Sequence, residues 1–160
     1  LLSTTLSAAD PALARGRPIT VREALDRTAA LDMRERPAAV ELSTRRVLAD
    51  AYRALGEQQR VLEQLDRIEA RAGSGLTALE RARLAVQRAS AIALLGRYAE
   101  GVAALTAARA ELAAVLADPD AAELIEIDLA IGDYTVKTGD AGAGVALLEA
   151  ALPRADRHIE

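Results

Sequence analysis

Apolar residues recur along this chain three and four positions apart, and glycine interrupts them at regular places. Val40, Val47, Leu48, Ala51, Tyr52 and Leu55 run at helical spacing up to Gly56, and Val61, Leu62, Leu65 and Ile68 return from it. Ala82, Ala85, Ala89, Ile92 and Leu95 lead to Gly96, with Val102, Leu105, Ala108, Leu112 and Leu116 beyond. Leu124, Ile127, Ile131 and Tyr134 lead to Gly139, with Val145, Leu148, Leu152 and Ala155 beyond. Each block reads as a helix, a glycine turn and a returning helix. The turn glycines also have matching neighbours. Small residues stand seven positions before them (Ala49, Ala89 and Gly132), and Val61, Gly101 and Gly144 stand five after. Leu65, Leu105 and Leu148 stand four further on. Small residues let paired helices approach closely, and a large apolar residue fills the groove beside them.

Capping signals set the boundaries. Thr20-Val21-Arg22-Glu23 and Thr77-Ala78-Leu79-Glu80 are capping boxes, in which hydroxyl and carboxylate satisfy free N–H groups of a helix start. The first predicts a helix from Val21 to Arg34, its turns marked by Ala24, Leu25, Thr28 and Leu31 or Asp32. Pro37 ends it and suits the first turn of the next helix. Asp118-Pro119 reads as N-cap and first helical residue of a later one. Gly73-Ser74-Gly75 is the clearest loop, and residues 1–19, with Pro11, Gly16 and Pro18, read as a linker or docked arm. The predicted organisation is that arm, an N-terminal capping helix over residues 20–36 and an array over 37–160. Its repeats cover about 37–73, 77–117 and 119–156.

The turn glycines at 56, 96 and 139 stand 40 and 43 residues apart, a period that indicates an α-solenoid. Leu48-Ala49-Asp50-Ala51-Tyr52 resembles the Leu-Gly-x-x-Tyr part of the tetratricopeptide (TPR) pattern. Val61, Gly101 and Gly144, each four residues before a leucine, resemble its Ala-x-x-x-Phe part. Ile131-Gly132 repeats the first motif with Tyr134 one residue early, Arg88 stands where the second unit would carry Leu, and the family's helix-ending proline is absent from the first two units. The resemblance, over roughly Pro37 to Ala155, therefore implies three degenerate, lengthened TPR-like hairpins. The fold expected is all-α, a right-handed α-solenoid of three such repeats behind an N-terminal helix.

Upstream, the segment from Asp10-Pro11-Ala12-Leu13 through Arg15-Gly16-Arg17-Pro18-Ile19-Thr20 to Leu25-Asp26 resembles the stretch that introduces TPR arrays in bacterial transmembrane serine/threonine protein kinases. That resemblance implies a regulatory or sensor region that is periplasmic or otherwise extracytoplasmic, whose kinase domain lies elsewhere in the protein. None of the kinase's Gly-rich loop, His-Arg-Asp or Asp-Phe-Gly motifs occurs here. The chain begins at Leu1 and not at Met, which reads as a fragment of a longer protein. The alternative is a cytoplasmic TPR adaptor or the TPR arm of a transcription regulator.

Composition narrows the chemistry. Half the chain is hydrophobic, yet there is no Trp or Phe and only three Tyr, so its apolar mass is aliphatic and Ala/Leu-rich, which favours helices. The absence of Cys excludes disulfides and thiolate chemistry. A net charge of −4 argues against a general nucleic-acid binder, no apolar run reaches transmembrane length, and no signal peptide is visible. Residues 81–117 carry five Arg against two Glu, and residues 118–140 seven acids against Lys137, which predicts adjacent basic and acidic surfaces and a route to head-to-tail self-association.

Gly139-Asp140-Ala141-Gly142-Ala143-Gly144 superficially suggests a phosphate loop, but a helix precedes it where a dinucleotide fingerprint needs a strand. His158, the single histidine, has no partner at ligand spacing. Asp118, Asp120, Glu123, Glu126, Asp128 and Asp133 lack the EF-hand pattern and read as a solvated acidic face or a docking surface for a basic partner. None of the serines has a histidine–acid arrangement for nucleophilic catalysis. The prediction is a non-catalytic protein-interaction module, without cofactor or metal, that takes a protein or peptide partner or a second copy of itself. It involves neither nucleic acid nor membrane insertion. The TPR resemblance implies a concave face lined by first helices: Ser43, Arg46, Asp50 and Arg53; Arg83, Val86, Ser90 and Ala93; Glu126, Leu129, Asp133 and Val136. TPRs that clamp a terminal carboxylate use asparagine, and this chain has none.

Overall fold

The computed structural model describes residues 19–157. Residues 1–18 of the predicted arm, and His158, lie outside the described residues. Among those described there are seven α-helices, one 3₁₀ turn and no strand. The chain divides at Gly73 into two compact units.

The first unit holds α1 (Val21–Ala29), α2 (Ala38–Ala54) and α3 (Gln58–Ala72), with the 3₁₀ turn Gly73–Gly75 at the division. The Thr20 box forms as expected: the Glu23 N–H donates to Thr20 Oγ1 at 3.1 Å and the Thr20 N–H to Glu23 Oε2 at 3.0 Å. The helix it starts is nine residues long and stops at Ala29, not at Arg34. The capping helix expected over 20–36 is therefore one short helix followed by turns. Its end is held from a distance, because the Ala29 carbonyl accepts from Nη1 of Arg45 at 2.8 Å and of Arg67 at 3.0 Å. Beyond it Asp32 Oδ1 accepts the Arg34 N–H at 3.0 Å, an Asx turn that competes with helix. The Tyr52 hydroxyl donates to Asp26 at 2.7 Å and fastens α1 to α2.

Leu48, Ala49, Tyr52, Val61, Leu65 and Ile68 are buried in this unit. Of the apolar row predicted for α2, Leu48 and Tyr52 are buried and Ala51 is half-buried, but Val40, Val47 and Leu55 are exposed. Glu41, Arg45 and Ala49 complete the buried row in their place. The two charged members of the row are tolerated because Arg71 Nε donates to Glu41 Oε2 at 2.8 Å and Arg45 is held by Ala29 and Gln64.

The second unit holds α4 (Ala78–Leu94), α5 (Tyr98–Leu116), α6 (Ala122–Lys137) and α7 (Ala141–Asp156). The Thr77–Glu80 capping box forms in full. Ala82, Ala89 and Ala93 of α4, Leu105 and Leu112 of α5, and Leu124, Ile127, Ile131 and Tyr134 of α6 make one apolar cluster. Burying a leucine fully contributes about 1.5–3 kcal/mol, so Leu105 and Leu124, both 0 % exposed, are principal contributors. The expected row on α7 is weaker: Val145 and Leu152 are exposed, Leu148 is half-buried, and the helix docks through Gly144 and Ala151. Leu95 is likewise exposed, at the turn.

The glycines divide into two kinds. Gly56, Gly96 and Gly139 have φ of +75°, +86° and +101° with open space where a Cβ would go, so backbone conformation alone selects them. Gly101 and Gly144 are helical and selected by room. A Cβ on Gly101 would lie 2.7 Å from the Ala93 Cα, and one on Gly144 would lie 2.7 Å from the Val136 backbone nitrogen. Asp118-Pro119 does not start a helix. Ala117 turns left-handed at φ 55°, Asp118 Oδ1 accepts the Asp120 N–H at 3.0 Å, and α6 begins at Ala122.

Candidate partner surface and an arginine-lined pocket

The positions assigned to the concave face have unequal surface to offer. On α2, Asp50 and Arg53 are exposed and 3.4 Å apart as an ion pair, while Ser43 and Arg46 are half-buried. On α4, Arg83 is exposed and Ser90 and Val86 are half-buried, Val86 against the apolar cluster. Ala93 is 0 % exposed and packs at Gly101, so it is a helix-packing residue with no surface for a partner. On α6, Glu126 and Asp133 are exposed, and Asp133 accepts from Lys137 Nζ at 2.6 Å. Leu129 is half-buried, and Val136 is turned toward Gly144 at the contact with α7. Arg83 reaches Glu123 with two hydrogen bonds, of 3.1 and 2.5 Å, which ties α4 to α6 along one side of the unit.

Sequence reasoning separated the basic and acidic segments, but the fold joins them. Besides Arg83–Glu123, Arg109 on α5 donates through Nε and Nη2 to Asp128 on α6. Arg154 on α7 donates to Asp128 at 2.8 Å, to Asp120 at 2.8 Å and to the Pro119 carbonyl. Burial pushes the Asp128 carboxyl up, but the hydrogen bonds from Arg109 and Arg154 outweigh it and hold its pKa below the usual value. The expected adjacent basic and acidic surfaces are thus compensated in part within one unit. These pairs lie 19 to 40 residues apart, and no local spacing announced them.

Tyr98 and Tyr134 stack with ring centroids 6.1 Å apart, and Lys137 Nζ lies 5.9 and 5.3 Å from the two rings. The cation–π contact closes the α5–α6 junction near the Gly139 turn.

The first unit carries a feature that sequence reasoning missed. A cavity of about 450 Å³ is lined by Ala30 to Arg34, by Glu41 and Arg45 of α2, and by Arg67, Ala70 and Arg71 of α3. Four guanidinium groups line it against two carboxylates. Arg34 pairs with Asp32 at the rim, and Arg71 takes one oxygen of Glu41. Arg45, its side chain 3 % exposed, has Nε 3.7 Å from the other Glu41 oxygen, beyond hydrogen-bond distance, and that buried Nε has no hydrogen-bond partner among the described residues. Burial, and then the neighbouring Arg67 charge, press the Arg45 pKa below the ordinary arginine value. The i, i+4 spacing of Arg67 and Arg71 was the available signal, but it could not indicate which residues face them.

The glycine-rich stretch 139–144 is a helix–helix turn: α6 precedes it, and Asp140 caps α7 by accepting the Ala143 N–H at 3.0 Å. Among the described residues, no group of three or more acidic or histidine side chains is placed to hold a metal ion, and no helix is long and apolar enough to cross a membrane. Compared with protein-family models, curated proteins and solved structures, the chain finds no match in any of the three.

Proposed function

We propose that this chain is a protein–protein interaction module of TPR-like hairpins, and that it forms the regulatory or sensor array of a bacterial serine/threonine protein kinase. The observation that carries the interaction reading is the recurrence of one hairpin design. A glycine turn is followed by a close helix contact at Gly101 and again at Gly144, 43 residues on. Repetition of this kind keeps equivalent first-helix positions on a common side, where Arg83, Ser90, Glu126 and Asp133 offer mixed charge and hydroxyl groups to a polypeptide. The kinase reading rests on the upstream resemblance alone.

Photo-crosslinkers at Ser90 and Glu126, compared with Glu111 on α5 and Glu149 on α7, test the interaction reading in the intact protein. It expects one polypeptide captured from the first-helix positions and little from the second helices. Equal capture from all four, or none from Ser90 and Glu126, refutes it. The coding sequence preceding Leu1 tests the kinase reading. A kinase domain followed by some 20 apolar residues supports it. An initiator methionine close by, with no such domain, leaves the adaptor. In a full-length kinase, deletion of the array with no change in kinase activity would count against regulation.

A further inference from the structure

Arg45 and Arg67 converge on one acceptor. Both donate Nη1 to the Ala29 carbonyl, so two positive groups meet at the end of α1. Arg71 stands one turn beyond Arg67 on α3. Glu41 is the carboxylate these three share, and it is engaged by Arg71 and, more distantly, by Arg45. Among the described residues no carboxylate lies within ion-pair distance of Arg67, and the cavity lining carries four guanidinium groups against two carboxylates, an excess of positive charge. Like charges brought this close raise one another's energy, and a buried guanidinium N–H without an acceptor adds a desolvation cost. An oxyanion seated among them relieves both. Guanidinium groups match carboxylate and phosphate oxygens with paired, planar hydrogen bonds. A volume of about 450 Å³ is in the range of small-ligand sites, and Leu31, Met33 and Ala70 supply an apolar wall for the rest of such a molecule.

We propose that the cavity between the end of α1, the first half of α2 and the last turns of α3 binds the phosphate or carboxylate group of a small anionic molecule, with Arg67 and Arg71 as its entry-side donors and buried Arg45 beneath them. The site lies within the first unit and does not depend on the interaction reading. A ligand here would brace the junction of α1 with the α2–α3 hairpin, since the same arginines hold both.

The test is titration of the whole chain with inorganic phosphate and with succinate, against sodium chloride at matched ionic strength. It is followed through the ¹⁵N-labelled Arg45 Nε–H by NMR and through the melting temperature. A saturable shift of the Arg45 signal with a dissociation constant of about 1 mM or lower supports the site. Tighter binding of phosphate assigns a phosphorylated ligand, and tighter binding of succinate a carboxylate. Arg67→Gln, at an exposed position, should weaken the preferred anion by about tenfold or more, as loss of a charge-assisted donor does. Arg53→Gln, outside the cavity, should leave it unchanged. Should Arg67→Gln lower the melting temperature in chloride, Arg34→Gln at the rim serves in its place and should weaken binding about two- to threefold. No saturable shift with either anion, an equal shift with chloride, or undiminished binding by the variant that keeps its fold would overturn the proposal.

Discussion

Two glycines in the same helix, two residues apart, separate the effect of backbone from that of packing. An alanine Cβ at Gly142 meets nothing closer than Asp140 Oδ1 at 4.0 Å. At Gly144 it meets Val136 Cγ2 at 2.5 Å, the Val136 nitrogen at 2.7 Å and the Gly132 oxygen at 2.8 Å. Two of these three are backbone atoms and cannot rotate away. Both substitutions restrict the unfolded chain similarly, worth about 0.4–1 kcal/mol of stability where the native conformation accepts alanine. Gly142→Ala should therefore stabilise by up to about 1 kcal/mol. At Gly144 the same gain is set against overpacking of about 1–3 kcal/mol. Relief requires α6 and α7 to part by about 0.7 Å, and a gap of that size forfeits a quarter to a half of the dispersion attraction along their contact. Gly144→Ala should end up to about 2 kcal/mol less stable than the parent chain and about 1–3 kcal/mol below Gly142→Ala, the backbone gain being common to both. Urea denaturation followed by helical circular dichroism measures both, with a midpoint change at constant slope. Gly132→Ala should fall between them, because its nearest obstruction is the movable Leu148 side chain, at 2.8 Å. If Gly144→Ala came within about 0.5 kcal/mol of Gly142→Ala, the spread of innocuous surface changes, the close helix contact would not be what selects glycine there.

Leu65→Ala and Leu105→Ala, each at a side chain with 0 % exposure, should each cost about 2–5 kcal/mol by the same measurement. The depressed Asp128 pKa contributes stability that is complete above the unfolded value of about 3.9 and is lost as pH falls through the folded value. Stability measured as pH falls below about 4 should therefore decline less steeply in Asp128→Asn than in the parent. Burial, and then the hydrogen bond to Asp26, raise the Tyr52 pKa to about 12. Its contribution is complete below the unfolded value of about 10 and fades as pH rises toward the folded value, so Tyr52→Phe should flatten the alkaline side of the stability profile.

Where the information is local, the residues alone were sufficient. The Thr20 and Thr77 capping boxes form because hydroxyl, carboxylate and free N–H groups lie within one turn of chain. Gly56, Gly96 and Gly139 adopt positive φ because that conformation penalises a Cβ, wherever the turn sits. The buried row of α6 follows from its 3.6-residue period. Of the candidate surface, exposed Asp50, Arg83 and Glu126 were legible as polar first-helix positions, whereas the burial of Ala93 was not, because alanine suits surface and core equally. Tertiary structure decided the rest. It ended α1 at Ala29, because Arg45 and Arg67, from 16 and 38 residues away, take its last carbonyl. It buried Glu41 at the start of α2 where Val40 was expected, since Arg71 supplies its partner, while Leu48 and Tyr52 stayed in the row the pattern gave them. It also brought the basic and acidic segments together through Asp128, and gathered arginines from two helices around one cavity. A charged side chain is buried or exposed according to whether a partner meets it, and that partner comes from a part of the chain the local pattern does not contain.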